Sequence, residues 1–413
     1  MCPADDKPPR AALAGITVLD LSRVLAGPWA SQLLADYGAT VIKVEKPGTG
    51  DDTRHWGPPW LVADGEPLDA AYFLSANRNK RSLAVDFAHP DGRRVLRELA
   101  TSADVLIENF RVGTLERYGL DYDALQALNS RLVYCSITAY GQHGSRAGLP
   151  GYDAMIQAAG GLMSITGDAD EDGGRPVKVG VAIADIMAGM YAVSAIQAAL
   201  IARAETGQGQ HLDVPLYDSQ VAWLANQSMN YLLGGEVPGR LGTAHPNLVP
   251  YQAFATADGH VMVAVGNDAQ FRACAGCLGL QDLADDSRFA ANEGRVRHRE
   301  VLVTRMQQAF LDRPSAHWLE ALAAAGIPAA PINDIGTVLD GPYAAERQLV
   351  RKLPHAVAGE VPTVANPVRM SGTPVVHRSA APRLGEHTDE ILMERLGYAQ
   401  GEVDALRAAG AIG

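Results

Sequence analysis

The chain has 413 residues, too many for one ordinary core, so length alone favours two or three domains. Apolar residues make up 47% and charged residues 20%, a globular composition that excludes a disordered chain. A net charge of -12 argues against nucleic acid or an anionic membrane as a partner, while leaving room for a local basic pocket.

The opening MCPADDKPPR is acidic, carries prolines and lacks an apolar core, so it does not read as a secretory signal. GITVLDLS (15–22) reads as a strand, and Gly27-Pro28 opens a helix through WASQLLADYG. TVIKVEKP (40–47) and SLAVDF (82–87) are further strands. A helix over DGRRVLRELATSAD, a strand at VLIENF (105–110) and another at LVYCSIT (132–138) follow. Unbroken β-branched runs alternating with helices predict a parallel sheet covered on both faces, a Rossmann-like doubly wound α/β layer.

The apolar run IMAGMYAVSAIQAALIA (186–202) is 17 residues long and contains Gln197, which predicts a buried helix rather than a membrane span. HLDVPLYD (211–218) reads as extended. PYQAFATADGHVMVAVG (250–266) predicts a hairpin turning at Asp258-Gly259, and 287–326 is helical. The expected domains are 1–225, a Rossmann-like large domain, and 226–335, a smaller α+β domain. Residues 336–413 return to the large domain as loop and short strand, ending in a helix at DEILMERLGY. Cys274 and Cys277 form a CxxC without His partners, which fits two small packing residues on a helix, and a reducing, cytoplasmic setting is the default.

Asp153 is the one charged residue in GLPGYDAMIQAAGGLMSITG (148–167). It follows a strand by a loop and precedes a helix, which is where open parallel sheets bind ligands. Position alone fits an N-cap. It also fits a carboxylate that helix amides would hold ionised, with small neighbours leaving room for a substrate carbonyl. Asp185, opening the next helix, reads as an ordinary N-cap, and His387 in LGEHT as a capping or packing residue. Lys43, Lys46 and Arg54, then NRNKRS (77–82) and Arg111 gather cations in three loops of one sheet, which fits a phosphate-bearing ligand and equally fits solvated loops. GxGxxG, Walker and GxSxG patterns are absent.

RVLAGPWASQLLADYGATVIKVEKPGTGDDTR, NRNKRSLAVD, ENFRVG, YCSITAYGQHG, GYDAMIQAAGGLMSITG, KVGVAIADIMAG and LGEHT occur in that order. Together they resemble the family III CoA-transferases, which include formyl-CoA and carnitine CoA-transferases. DDTRHWGPP, AAYFLSANRNKRS and GTAHPNLVPYQAF look like the succinyl-CoA:glutarate branch, which acts on C4 to C6 dicarboxylates. The resemblance implies that Asp153 is the nucleophile, through an aspartyl anhydride and an aspartyl-CoA thioester. It implies no metal and no cofactor beyond the CoA of the substrates, and a homodimer of interlinked rings. It implies CoA binding by Arg54, Asn77, Lys80, Arg81, Asn109, Phe110 and Arg111, with Arg23, Leu25, Tyr152, Gly242 and His245 bordering the acyl pocket. Arg23, Arg240 or His245 could match a distal carboxylate.

Two alternatives share the fold. An α-methylacyl-CoA racemase needs an imidazole immediately before the aspartate, where this chain has Tyr152, a phenol with an ordinary pKa of about 10. A silent acyl-CoA-binding protein has no need of Asp153.

Overall fold

Six short strands form one parallel sheet in the computed structural model, which describes residues 10–413; the reading of residues 1–9 lies outside them. They are β1 (Thr17–Asp20), β2 (Thr40–Glu45), β3 (Lys80–Ala84), β4 (Val105–Glu108), β5 (Val133–Thr138) and β6 (His211–Pro215). Their order is β3-β2-β1-β4-β5-β6, every neighbouring pair parallel. The chain runs outward from β1 to β3 and returns to the other side of β1 at β4. Loops after β1 and β4 therefore meet at the carboxyl edge, the switch point where such sheets bind ligands.

Alternate strand residues feed two cores. Leu19, Ile42, Leu106 and Tyr134 face the first, with α2 (Pro90–Ala100) and the C-terminal helices Thr388–Leu396 and Gln400–Ala408. Val18, Val41, Val105 and Val133 face the second, with α1 (Ala26–Asp36) and α4 (Ile183–Thr206). At roughly 1.5–3 kcal/mol per fully buried large aliphatic side chain, these layers dominate the stability of the sheet. Two glycines permit close approach there. A Cβ on Gly27 would lie 2.2 Å from Ser22 Cβ, and one on Gly189 would lie 2.7 Å from the Ala26 carbonyl. The start of α1 can thus sit against both the β1 turn and α4.

The 186–202 helix differs from expectation. One face of α4 buries Ala184, Ala188, Ala192 and Ile196, but Met190, Tyr191 and Ile201 stand exposed on the single chain, Ile201 at 70%. Among the described residues α4 alone is long and apolar enough to span a membrane. Other differences are local. Leu216–Ala222 turns helical and shortens the strand expected at 211–218, a hairpin pairs Trp60–Ala63 with Glu66–Ala70, and the chain ends in two helices rather than one. Cys274 lies buried on a helix, as a packing residue should.

The chain divides into two compact units. The first holds the sheet: residues up to Gly160, Gly180–Trp223 and Pro342–Gly413. The second comprises Gly161–Val179 and Leu224–Gly341. Its antiparallel hairpin, Tyr251–Ala255 with His260–Ala264, turns at Asp258-Gly259 as expected and pairs with Ala329–Pro331. Helices Arg299–Phe310 and Ser315–Ala324 bury Phe310 and Trp318 into its core.

Candidate active site

Asp153 is the first residue of α3 (Asp153–Ala159), yet its carboxylate does not cap that helix. It crosses to α4 instead. Oδ1 accepts the backbone N–H of Ala184 at 2.7 Å and that of Asp185 at 3.4 Å. Oδ2 accepts Nε2 of Gln157, one turn along α3, at 2.6 Å. The first intrahelical bond of α4 runs from Ile186 N–H to Ala182 O, and Ala182 has no capping side chain. The amides of Ala184 and Asp185 are thus the orphans of a helix start, satisfied from another helix. The N-cap reading is corrected: Asp153 caps α4 in trans.

Asp185 is corrected too. It lies within α4 and not at its cap, and its half-buried side chain makes no ion pair among the described residues. Burial, followed by the nearby Asp153 charge, pushes its carboxyl up to about 7. Desolvation and a like charge both disfavour ionisation, and here they act together.

A cavity of about 270 Å³ reaches Asp185 and Tyr152, the residue before Asp153, and Arg23, Leu25, Asn109 and Arg111 also line it. Two of its walls are the loops that meet at the switch point, and Ile137 to Ala139 and the 147–152 segment line it too. Val24 holds φ +69, a left-handed conformation that a β-branched residue adopts only when its surroundings impose it. Both Asp51 carboxylate oxygens accept its N–H, at 3.2 and 3.3 Å, and Lys43 Nζ donates to the Ser22 carbonyl at 3.0 Å. At β4, Phe110 N–H donates to Glu108 Oε2 at 2.8 Å, turning Phe110 under the Arg23 guanidinium, 5.0 Å from the ring centre. Burial pushes Glu108 up to about 7 against its bonds from Ser136 and Phe110. A second cavity of about 450 Å³ shares Arg23, Asp52 and Phe110 and adds Lys43, Lys46 and Phe87.

Of the residues expected to hold CoA, Asn109, Phe110 and Arg111 therefore gather at one cavity. Arg54, Asn77 and Lys80 do not; their polar groups are consumed inside the unit. Arg54 is bidentate to Glu45 at 2.7 Å, pairs with Asp69 at 2.8 Å and lies over the Phe73 ring. Lys80 Nζ bonds Asn77 at 2.8 Å, the Pro28 carbonyl at 2.9 Å and Asp20 at 3.2 Å. Burial and the neighbouring Lys43 bring Lys80 down to about 8 despite Asp20. Asp20, pushed up by burial, is nonetheless held below the usual carboxylate range by Lys80 and Lys43. Arg81 pairs with Glu390 and Glu394. His387 packs as expected, its Nδ1 accepting Ser82 N–H at 3.3 Å. Tyr152, 68% exposed, and Leu25 line the smaller cavity.

Gly242 and His245 belong to the second unit, as does Arg240, which is tied to Asp170 and the Gly174 carbonyl. Sequence reading passed over Gln157, although its i+4 spacing from Asp153 carries a helical pair signal. It also passed over the Ala184 amide, a backbone group with no side-chain signature.

The family described as CoA-transferase family III matches residues 13–388. A succinate–glutarate CoA-transferase of Agrobacterium fabrum is 49% identical over 94% of this chain and 96% of its own length. A succinyl-CoA:glutarate CoA-transferase of Homo sapiens is 41% identical over 97% of this chain and 90% of its own. A crystal structure of a CAIB/BAIF family protein from Brucella suis superposes with a TM-score of 0.82. It is 46% identical and covers 94% of this chain and all of that one.

Proposed function

The chain belongs to CoA-transferase family III, and we propose that it moves CoA from succinyl-CoA to glutarate or a similar C4 to C6 dicarboxylate, the acids named for its relatives. It is an enzyme of the transferase class. Asp153 attacks the thioester carbonyl of the donor, the C–S bond breaks, and a mixed anhydride and CoA thiolate result. The thiolate attacks Asp153 Cγ, releasing the donor acid and leaving an aspartyl-CoA thioester. The acceptor carboxylate attacks Cγ in turn, and the thiolate takes the acyl group from the new anhydride. No metal or prosthetic group enters these steps, because CoA is part of both substrates.

The observation that carries this reading is the Asp153 carboxylate, held by Ala184, Asp185 and Gln157, with its neighbours Tyr152 and Asp185 lining a cavity at the sheet's switch point. Arg111, Asn109 and Phe110 supply the CoA side of that cavity. Arg23, rather than Arg240 or His245, is our choice for the distal carboxylate, because it lines the cavity alongside Tyr152. A racemase would use paired bases, and the imidazole it requires before Asp153 is Tyr152 here.

The exposed apolar residues of α4 support a homodimer of interlinked chains, and the free Cys135, Cys274 and Cys277 support a reducing, cytoplasmic setting. The test is incubation with succinyl-CoA and glutarate, read by mass spectrometry for glutaryl-CoA. Asp153→Ala should abolish transfer and leave CoA affinity nearly intact. A covalent adduct trapped by hydroxylamine or borohydride on another residue would overturn the assignment.

A further inference from the structure

The two oxygens of Asp153 are held differently, and the reaction treats them differently. Oδ1 faces two backbone N–H groups at the start of a 24-residue helix, whereas Oδ2 has the side-chain amide of Gln157. Two of the four bond-making steps proposed above occur at Cγ of Asp153 itself. In each, an oxyanion develops on the carboxyl oxygen that stays attached to Cγ.

We propose that Oδ1 remains on the Ala184 and Asp185 amides throughout turnover, so that the start of α4 is the oxyanion hole for the enzyme's own carbonyl, and that Oδ2 alone is the oxygen given up and replaced. The inference rests on Asp153 being the nucleophile. The atoms balance as follows. Oδ2 attacks the donor thioester carbon and becomes the bridging oxygen of the anhydride. When the CoA thiolate adds to Cγ, charge passes to Oδ1, opposite the Ala184 N–H. The Cγ–Oδ2 bond then breaks, and Oδ2 departs in the donor carboxylate. The acceptor carboxylate adds to Cγ, charge again passes to Oδ1, and the thiolate leaves. Thiolate attack on the acyl carbon of this second anhydride leaves one acceptor oxygen behind on Asp153, in the Oδ2 position. The donors need no reorganisation for these steps, because they hold Oδ1 before any substrate arrives, and removing one such donor typically slows a reaction about 10²- to 10³-fold. The Gln157 carboxamide, at i+4 on α3, is placed to steer the oxygen that exchanges.

The wild-type enzyme tests this without any substitution. It is turned over for tens of cycles with succinyl-CoA and glutarate carrying oxygen-18 in both carboxyl groups, and the Asp153 peptide is weighed. One heavy oxygen per Asp153, with no further uptake, is the expected plateau. Two heavy oxygens with transfer intact would overturn the division of labour while leaving Asp153 as the nucleophile. No heavy oxygen, with glutaryl-CoA formed, would remove the nucleophile assignment and this inference with it. Ala184→Pro supplies the second arm, because proline lacks the N–H and is tolerated in a first helical turn. The variant should slow by about 10²- to 10³-fold with KM for succinyl-CoA little changed, and stall as acylated Asp153 with CoA released. A folded Ala184→Pro enzyme at wild-type speed would sink the proposal, and if that variant does not fold, the oxygen count decides.

Discussion

Asn109 and Arg23 face each other where the strand order reverses, and the Asn109 carboxamide pairs with both backbone groups of Arg23. Oδ1 accepts its N–H at 2.8 Å and Nδ2 donates to its carbonyl at 2.6 Å. The clasp ties the loop after β1 to the loop after β4 and so fixes two walls of the cavity. Asn109→Ala removes two hydrogen bonds worth about 1 kcal/mol each, so substrate must re-form the loop arrangement on binding, which predicts a rise in KM for succinyl-CoA of up to about 30-fold. Steady-state kinetics check it. An unchanged KM would mean the loops hold their places without the clasp.

The capping role of Asp153 and the chemical role proposed for it are separated by two substitutions. Asp153→Ala leaves the Ala184 and Asp185 amides without an acceptor and should destabilise the protein by about 1 kcal/mol, as loss of an N-cap does. Asp153→Asn keeps a carbonyl oxygen for those amides and should melt close to wild type, yet transfer nothing. Urea midpoints compared at equal slope give the first quantity and the transfer assay the second. Equal midpoints for the alanine and wild-type proteins would deny the capping role.

Arg54 should prove a stability residue rather than a CoA ligand. It is 3% exposed and carries the charge that offsets buried Glu45. Arg54→Met leaves Glu45 buried and unpaired, a change that typically costs about 3–5 kcal/mol. The expected result is a large drop in the urea midpoint, with CoA affinity of the folded fraction within a few-fold of wild type. Loss of CoA affinity at an unchanged midpoint would restore Arg54 to the binding site.

The burial of Arg54 and Lys80 shows what sequence can carry. The strands were legible because both faces of a parallel sheet are buried, so Val105 to Ile107 and Val133 to Ile137 read as apolar runs whatever they pack against. Asp153 was legible as a lone charge among glycines and apolar residues. Cation-rich loops were not, because a positive side chain looks the same whether it meets a phosphate or a carboxylate. What absorbed these charges is brought in by the fold: Lys80 meets Asp20, and Arg54 meets Glu45 and Asp69. Sequence spacing cannot reveal such pairs. The exposed face of α4 was hidden for a related reason, since apolar composition does not say which side of a helix meets the core.

Asp185 gives the enzyme a stability that depends on pH near neutrality. Burial and the Asp153 charge raise its carboxyl from the ordinary 3.8 to about 7. Below about 3.8 the folded and unfolded forms are both protonated at this site. Between 3.8 and 7 the unfolded chain has released the proton that the folded protein still holds, so this site lowers native stability as pH rises. Above about 7 both are ionised and the loss is complete. A displacement of this size caps the effect at about 4 kcal/mol, and partial exposure of Asp185 lowers the expected value to about 2 kcal/mol. Asp185→Asn cannot ionise, so its stability advantage over wild type should grow from pH 4 to pH 7 and then level off. Urea unfolding of both proteins across that range measures the gap. A gap that stays flat would mean Asp185 ionises like an exposed carboxyl.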